Sequence, residues 1–97
     1  MTYTLHRMAE NDLEAAFRFY KKEAGNKVAV RFLTEFERVA ELLDHNPGLG
    51  SPVVGDRRSF PLRTYPYSVI YRPANTGIRI LVVRHQSREP SHGAGRL

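Results

Sequence analysis

The sequence predicts an α+β domain with the element order β-α-α-β-β-β, in which an N-terminal helical hairpin packs on one face of a mostly antiparallel sheet. Three observations lead to this fold class. Apolar residues recur with a helical period through residues 9–45 and alternate with a period of two from residue 57 onward. A stretch rich in glycine and proline separates the two regions. A chain of 97 residues can build one such core but not two.

A short strand is predicted first, over Thr2–Met8, because Tyr3 and Leu5 alternate with Thr4 and His6. A helix follows it. Its apolar stripe has the spacing i, i+3, i+4 and i+7 and consists of Leu13, Ala16, Phe17 and Tyr20. Asn11 and Glu14 are spaced as a capping pair, which places the helix start near residues 9–11.

The second helix begins directly after the break at Gly25-Asn26 and carries the broadest apolar face in the chain. That face consists of Ala29, Phe32, Leu33, Phe36, Val39, Ala40 and Leu43. The helix is predicted to reach Asp44 or His45, since the sequence Asn46-Pro47-Gly48 stops it. Two amphipathic helices joined by so short a link are expected to form an antiparallel hairpin.

Three strands are predicted after a loop marked by Gly48, Gly50, Pro52 and Gly55. They lie around Phe60–Leu62, over Tyr67–Arg72 and over Ile78–His85, and Pro73–Gly77 forms the hairpin turn between the last two. Pro61 indicates an edge position or a bulge for its strand. The run Leu81-Val82-Val83 indicates a central strand covered on both sides.

One domain is expected over residues 1–90, followed by a short flexible segment over 91–97 that is small and polar in composition. The chain contains no cysteine, which excludes disulfides and thiolate metal sites. It has no apolar run near the ~18 residues that a membrane span needs, and its N-terminus lacks the pattern of a signal peptide. These features favour a cytoplasmic protein that is not bound to a membrane.

Charge is distributed unevenly along the chain, whose net charge is +5. Residues 1–46 contain seven basic and eight acidic residues, whereas residues 47–97 contain eight basic and two acidic residues. All eight basic residues of the second part are arginine, which binds carboxylates and phosphates through several planar donors. An anionic partner, either nucleic acid or an acidic protein segment, is therefore expected, although some arginines could simply form polar faces of strands.

An ordered set of short segments extends over nearly the whole chain and resembles the RelE/ParE toxin superfamily. The segments are Ala9-Glu10-Asn11-Asp12-Leu13, Phe32-Leu33-Thr34-Glu35-Phe36, Asn46-Pro47-Gly48-Leu49-Gly50, Arg58, the run from Leu62 to Tyr71, the run from Ile80 to His85, and Arg88-Glu89-Pro90. The aromatic-Pro-Tyr-x-x-x-Tyr strand before a hydrophobic strand ending in Arg-His is the most specific part. The resemblance implies a toxin in a hetero-oligomer with a cognate antitoxin, whose acidic or amphipathic segment wraps across the toxin.

Two mechanisms occur in the superfamily that the sequence resembles. RelE-like members cut mRNA in the ribosome, and ParE-like members bind and poison DNA gyrase without being enzymes. This sequence has Ser68 where RelE-like chains often carry arginine, no lysine after Lys27, and no tyrosine after Tyr71. These departures favour the ParE-like branch. The ribonuclease remains an alternative, as does an inactive member or one with another target.

The expected contact residues for a target or an antitoxin are chosen for charge and strand position: Arg58, Arg63, Arg72, Arg84 and Arg88. If the protein is a metal-independent ribonuclease, His85 could transfer protons while Arg63, Arg84 and Arg88 hold the phosphate. His85 is equally consistent with a ring that hydrogen-bonds a neighbouring strand or loop, and His92 with a solvated position. No cofactor is expected, and no histidine pair has the spacing of metal ligands.

The tyrosines near the centre of the sheet also have two interpretations. Aromatic rings beside arginine could stack on bases, as they do in proteins that bind single strands. Alternation places Tyr67 and Tyr71 on the same face, however, and a packing role between sheet and helices is favoured for both.

Overall fold

The computed structural model describes residues 3–88 and 91–97. Its elements follow the predicted order, with one short additional strand. They are β1 Thr4–Leu5, α1 Arg7–Ala24, α2 Asn26–His45, β2 Ser51–Pro52, β3 Arg58–Pro61, β4 Tyr67–Ala74 and β5 Gly77–His85. Neither helix in this part of the chain has the length and hydrophobicity that would let it cross a membrane.

The five strands form one sheet in the order β1-β5-β4-β3-β2. The pairs β2–β3, β3–β4 and β4–β5 are antiparallel, and β1 runs parallel to β5. The predicted fold class is thus confirmed, with the parallel pair as the departure from a purely antiparallel sheet. Pro61 pairs with Ser68 beyond the reach of β2, so its missing N–H faces an edge as expected.

Strand β5 contains the main irregularity of the sheet. Ile70 pairs with Val82 and Tyr71 with Ile80, which leaves Leu81 as an extra residue in β5. The bulge therefore lies in the central hairpin and not at Pro61. It turns Leu81 and Val82 toward the face opposite the helices, where they form a small buried cluster with Ile70.

The start of the first helix differs from the prediction. Helix α1 begins at Arg7, and its N-cap is His6, whose Nδ1 accepts a hydrogen bond of 3.0 Å from the Met8 N–H. The predicted capping pair of Asn11 and Glu14 is wrong, because both lie inside the helix. A neutral imidazole nitrogen can accept like a carboxylate oxygen, although histidine is not among the residues that usually mark a helix start.

The main core lies between the helices and the sheet. Its largest fully buried side chains are Phe32, Val39 and Leu43 of α2 with Tyr71, Ile78 and Ile80 of the central hairpin. The packing role predicted for Tyr71 is confirmed, since its ring is 1% exposed. Its hydroxyl donates to the Pro47 carbonyl at 2.8 Å and accepts from the Gly50 N–H at 2.9 Å. This tyrosine therefore fixes the loop after α2 against the sheet.

Asp44, in the last turn of α2, is a buried carboxylate without a compensating contact. It is fully buried, and neither of its carboxylate oxygens has a hydrogen-bond partner among the described residues. An unpartnered buried polar group costs free energy. Asp44 is therefore expected to destabilise the fold.

Replacing Asp44 with alanine should raise the free energy of unfolding by about 1–2 kcal/mol, because the orphaned oxygens are removed and helix propensity improves. Urea denaturation followed by circular dichroism would measure the change. Glu41→Ala, an exposed acid in the same helix, is the matched control and should change stability much less. A fall in stability for Asp44→Ala would mean that this carboxylate has a stabilising partner.

Candidate functional site

The face of the sheet opposite the helices is covered by the last described segment. Ile70, Leu81 and Val82 are at most 5% exposed there, although no helix packs on them. Gly93 lies directly over Val82: a Cβ on Gly93 would come within 2.4 Å of Val82 Cγ2. Gly93 also has a φ of 80°, which favours glycine. The segment 91–97 thus completes a second apolar cluster.

Arginines of the sheet and its loops hold this segment through main-chain oxygens. Arg57 donates to the carbonyls of Gly93, at 3.2 Å, and Arg96. Arg72 donates to the Leu97 oxygen at 2.7 Å. Because the arginines bind main-chain oxygens, these bonds do not depend on which side chains residues 91–97 carry. The expectation that residues 91–97 are flexible concerns motion and stays a prediction, whereas these contacts give their position.

Asp12 of α1 joins three parts of the molecule. Its Oδ2 accepts from the Val83 N–H of β5 at 3.1 Å and from Arg96 Nη1 at 2.5 Å, and its Oδ1 lies 3.4 Å from His92 Nε2. Since β1 pairs with β5 only at Arg79 and Ile80, no described strand covers the β5 edge at Val83. The Asp12 carboxylate occupies that edge instead.

A large cavity lies beside the second apolar cluster, on the face of the sheet opposite the helices. This face is called the open face below. Its volume is about 760 Å³, and its lining includes Val53, Val54, Ile70 and Val82, together with Arg57, Arg84 and His92. Val53 and Val54 are 44% and 87% exposed at the border of this cavity. An apolar floor bordered by arginines suits an acidic, amphipathic peptide.

A smaller cavity of about 230 Å³ lies between α1 and the end of β5, where Tyr67, His85 and Arg88 line it. His85 Nδ1 accepts from the Ser87 N–H at 3.1 Å and lies 2.7 Å from the Ser87 hydroxyl. Its ring packs edge-on against Tyr67, with centroids 5.1 Å apart. Burial raises the pKa of the Tyr67 hydroxyl, and Arg88 acts in the opposite direction. The expected alternative for His85, a ring hydrogen-bonded to a neighbouring loop, is confirmed.

The five predicted contact arginines do not form one group. Arg58 and Arg72 are engaged inside the fold, since Arg58 donates to the Gly50 carbonyl at 2.7 Å and Arg72 to residue 97. Arg84 lines the open-face cavity. Arg63 and Arg88 are exposed, and within residues 3–88 and 91–97 neither guanidinium has a hydrogen-bond or ion-pair partner.

The grouping considered for a ribonuclease is present only in part. His85 and Arg88 line one cavity, whereas Arg84 lines the other, because neighbouring strand residues point to opposite faces. No trio of histidine and carboxylate side chains among the described residues is placed to hold a metal ion. Glu89 and Pro90, which follow Arg88 in the sequence pattern, lie outside the described residues.

Sequence reasoning missed Asp12, Arg57, Arg96 and Glu35 as organising residues. Glu35 of α2 accepts from the Arg63 N–H at 2.6 Å, and Arg38 holds the same carboxylate through two bonds of 2.8 and 3.0 Å. The hydrogen bond from Arg38 lowers the pKa of Glu35, as does the one from the Arg63 backbone, although burial opposes them. The contact of Arg38 with Glu35 has the local i, i+3 spacing of a helix, but the contacts of Asp12, Arg57 and Arg96 and the contact of Glu35 with Arg63 join residues far apart in the chain, so no local spacing indicates them.

Comparison with known proteins gives a consistent result. A family described as the ParE toxin of type II toxin-antitoxin systems, parDE, matches residues 3–90. The chain is 29% identical over 87 residues to "Toxin ParE2" of two Mycobacterium tuberculosis strains, CDC 1551 / Oshkosh and H37Rv, covering 90% of this chain and 83% of each relative. A solved structure titled "Chromosomal ParDE TA system from P. aeruginosa" superposes with a TM-score of 0.77 and 26% identity, over 88% of this chain and 95% of the other.

Proposed function

Because this chain belongs to the ParE toxin family of type II toxin-antitoxin systems, we propose that it stops growth by binding DNA gyrase and that a cognate antitoxin neutralises it. The observation that carries this proposal is the family match, which extends over residues 3–90. The proposal places the protein in the cytoplasm, where gyrase acts, and in a hetero-oligomer with its antitoxin.

The open face of the sheet is the proposed antitoxin surface. Its cavity has an apolar floor at Ile70 and Val82 and is bordered by Arg57 and Arg84. A disordered acidic segment that folds on binding must recover its ordering entropy from a large apolar and charged surface. This face offers both kinds of contact. Arg72 lies on the same side and donates to the main-chain oxygen of Leu97. An extended partner segment would offer main-chain oxygens of the same kind.

Gyrase is favoured over the ribosome as the target because the sheet lacks a compact catalytic group. A metal-free ribonuclease needs a proton donor or acceptor beside groups that stabilise a charged phosphate. Here Arg84 lies in a different cavity from His85, and the sheet strands contain no lysine. The family match and this separation together support a binding protein over a nuclease.

The proposal is tested with the purified protein in two parallel assays. Supercoiling of relaxed plasmid by gyrase should be blocked, while protein synthesis in a cell-free extract should continue at the control rate. Addition of the purified product of the adjacent reading frame should restore supercoiling. Rapid cleavage of ribosome-bound mRNA that is lost in His85→Ala would instead establish the ribonuclease alternative.

A further inference from the structure

The turn between β3 and β4 contains the strained backbone of the molecule. Thr64 has a φ of 71°, and no other residue except glycine has a positive φ in the described chain. A left-handed conformation costs a β-branched residue about 1–2 kcal/mol, so the surrounding structure must hold it in place. Such strain often occurs where a protein presents a group for function.

Both ends of the turn are tightly fixed. Glu35 accepts from the Arg63 N–H at 2.6 Å, and Arg38 holds that carboxylate in a bidentate contact. On the other side, the Tyr65 ring packs against Tyr20 and Phe32, with centroids 5.3 and 5.4 Å apart. The main chain between these anchors is therefore defined, while the side chains at its tip face solvent.

The turn presents an exposed cation that is not tied down by a hydrogen bond or a close ion pair within residues 3–88 and 91–97. Most arginines of the sheet are occupied: Arg57, Arg58 and Arg72 donate to main-chain oxygens. The Arg63 guanidinium, by contrast, is exposed, and within residues 3–88 and 91–97 its contact with the fold is a charge interaction that helps to lower the pKa of Glu35. A fixed backbone beneath an exposed guanidinium lowers the conformational entropy that is lost when the side chain binds a partner.

The turn also lies beside a second exposed arginine, Arg88. The Gln86 N–H donates to the Pro66 carbonyl at 2.8 Å, and Tyr67 pairs with His85. These contacts place the turn next to the segment that carries Arg88, at one end of the sheet. The proposed antitoxin surface is on the open face, whereas the anchors of this turn, Glu35 and Tyr65, pack on the helix side. The two surfaces are therefore distinct.

From this geometry we infer that the Arg63–Thr64 turn binds a carboxylate-bearing surface of the protein target, and that Glu35 is the residue that positions it. The inference rests on the proposed function, since gyrase is the target considered. A single carboxylate suits the site better than a continuous polyanion because Arg38, the neighbouring cation of α2, is already engaged by Glu35 through two hydrogen bonds. The planar guanidinium of Arg63 can bind one carboxylate through two parallel bonds, whereas binding along a row of phosphates requires several cations.

The decisive experiment compares Arg63→Ala with Arg31→Ala in the gyrase supercoiling assay. Arg31 is an exposed arginine of α2, so both variants lose one surface charge. Arg63→Ala should raise the half-inhibitory concentration about tenfold, while Arg31→Ala should behave like the wild type. Both should keep the thermal midpoint and the affinity for the adjacent-frame antitoxin. Equal inhibition by Arg63→Ala and wild type would overturn the inference, whereas a wild-type protein that does not inhibit gyrase would overturn the proposed function as well.

The positioning role of Glu35 has its own test. Gln at this position can still accept from the Arg63 N–H, so Glu35→Gln should keep most of the inhibition while Glu35→Ala loses it. Thr64→Gly should weaken inhibition without lowering the thermal midpoint. Glycine adopts the left-handed backbone conformation without strain, but it also adopts many others, so the turn would be less well defined. A purely structural turn would show parallel losses of stability and inhibition. Binding of duplex DNA in the absence of gyrase that disappears in Arg63→Ala would mean that the turn contacts phosphates, and would also overturn the inference.

Discussion

Replacing Asp12 with alanine is expected to lower the free energy of unfolding by about 3 kcal/mol, since it removes one partner of a largely buried ion pair. The side chains of Asp12 and Arg96 are only 13% and 11% exposed. The substitution also leaves the Val83 N–H without its acceptor. Chemical denaturation measures the loss, and hydrogen exchange at Val83 should report faster local opening.

A matched control separates this effect from a general loss of negative charge on α1. Glu14 lies two residues later and forms an exposed ion pair with Arg18, and Glu14→Ala should cost only about 0.3–0.5 kcal/mol. Asp12→Asn should fall between the two, because an amide oxygen can still accept from Val83. Equal stabilities for Asp12→Ala and Glu14→Ala would show that Asp12 does not join α1 to β5 in solution.

Replacing Phe32 with alanine is expected to cost about 3–5 kcal/mol, since a large aromatic ring is removed from the core. Phe32 is fully buried. Its ring lies 5.2 Å from that of Tyr20 and 5.4 Å from those of Tyr65 and Tyr67. Removal would leave a cavity among three tyrosines that also anchor the turn carrying Arg63.

The control for this substitution is Phe19→Ala on the first helix, where the same group is removed from a side chain that is 55% exposed. It should cost about 1 kcal/mol or less, since little apolar surface is uncovered. Both variants would be compared by urea denaturation at the same pH. If Phe32→Ala proved as mild as Phe19→Ala, the aromatic cluster would not be the packed core that the structure describes.

Regular periodicity explains why most of the fold could be predicted. The apolar faces of α1 and α2 repeat over several turns, and the end of α2 at His45 is marked by Asn46-Pro47-Gly48. Strand β5 was recognisable from its central apolar run. Each of these signals is local in the chain. The apolar residues that repeat along an element are the same residues that it buries when it packs, so the repeat predicts the element.

The missed features depend on contacts between distant residues. The first strand is only Thr4–Leu5, because the chain turns into α1 as soon as β1 has paired with Arg79 and Ile80. The alternation at its residues did predict a strand, but the predicted end at Met8 is wrong because α1 begins at Arg7. The bulge at Leu81 is not visible in the sequence, because it arises from the register between β4 and β5 and not from either strand alone.

The candidate site was predictable in charge but not in arrangement. The excess of arginine after residue 47 indicated a basic region of the chain, and its use as a contact surface stays a prediction. Which guanidiniums remain available depends on the path of the backbone: Arg58 is used to hold the loop at Gly50, while Arg63 remains exposed. Sequence alone cannot separate these two roles, since both arginines border the same strand.

The pairing of β1 with β5 has a consequence for synthesis of the chain. Thr4 and Arg79 are neighbours in the sheet although 75 residues separate them, and such nonlocal contacts form late. At a translation rate of about 5–20 residues per second, roughly 2–8 s pass between completion of α2 and completion of β5. During that interval the apolar side of the helical hairpin has no sheet to cover it. The yield of folded toxin should therefore depend on how quickly the ribosome translates the segment from Asn46 to His85, and slow codons there should increase aggregation.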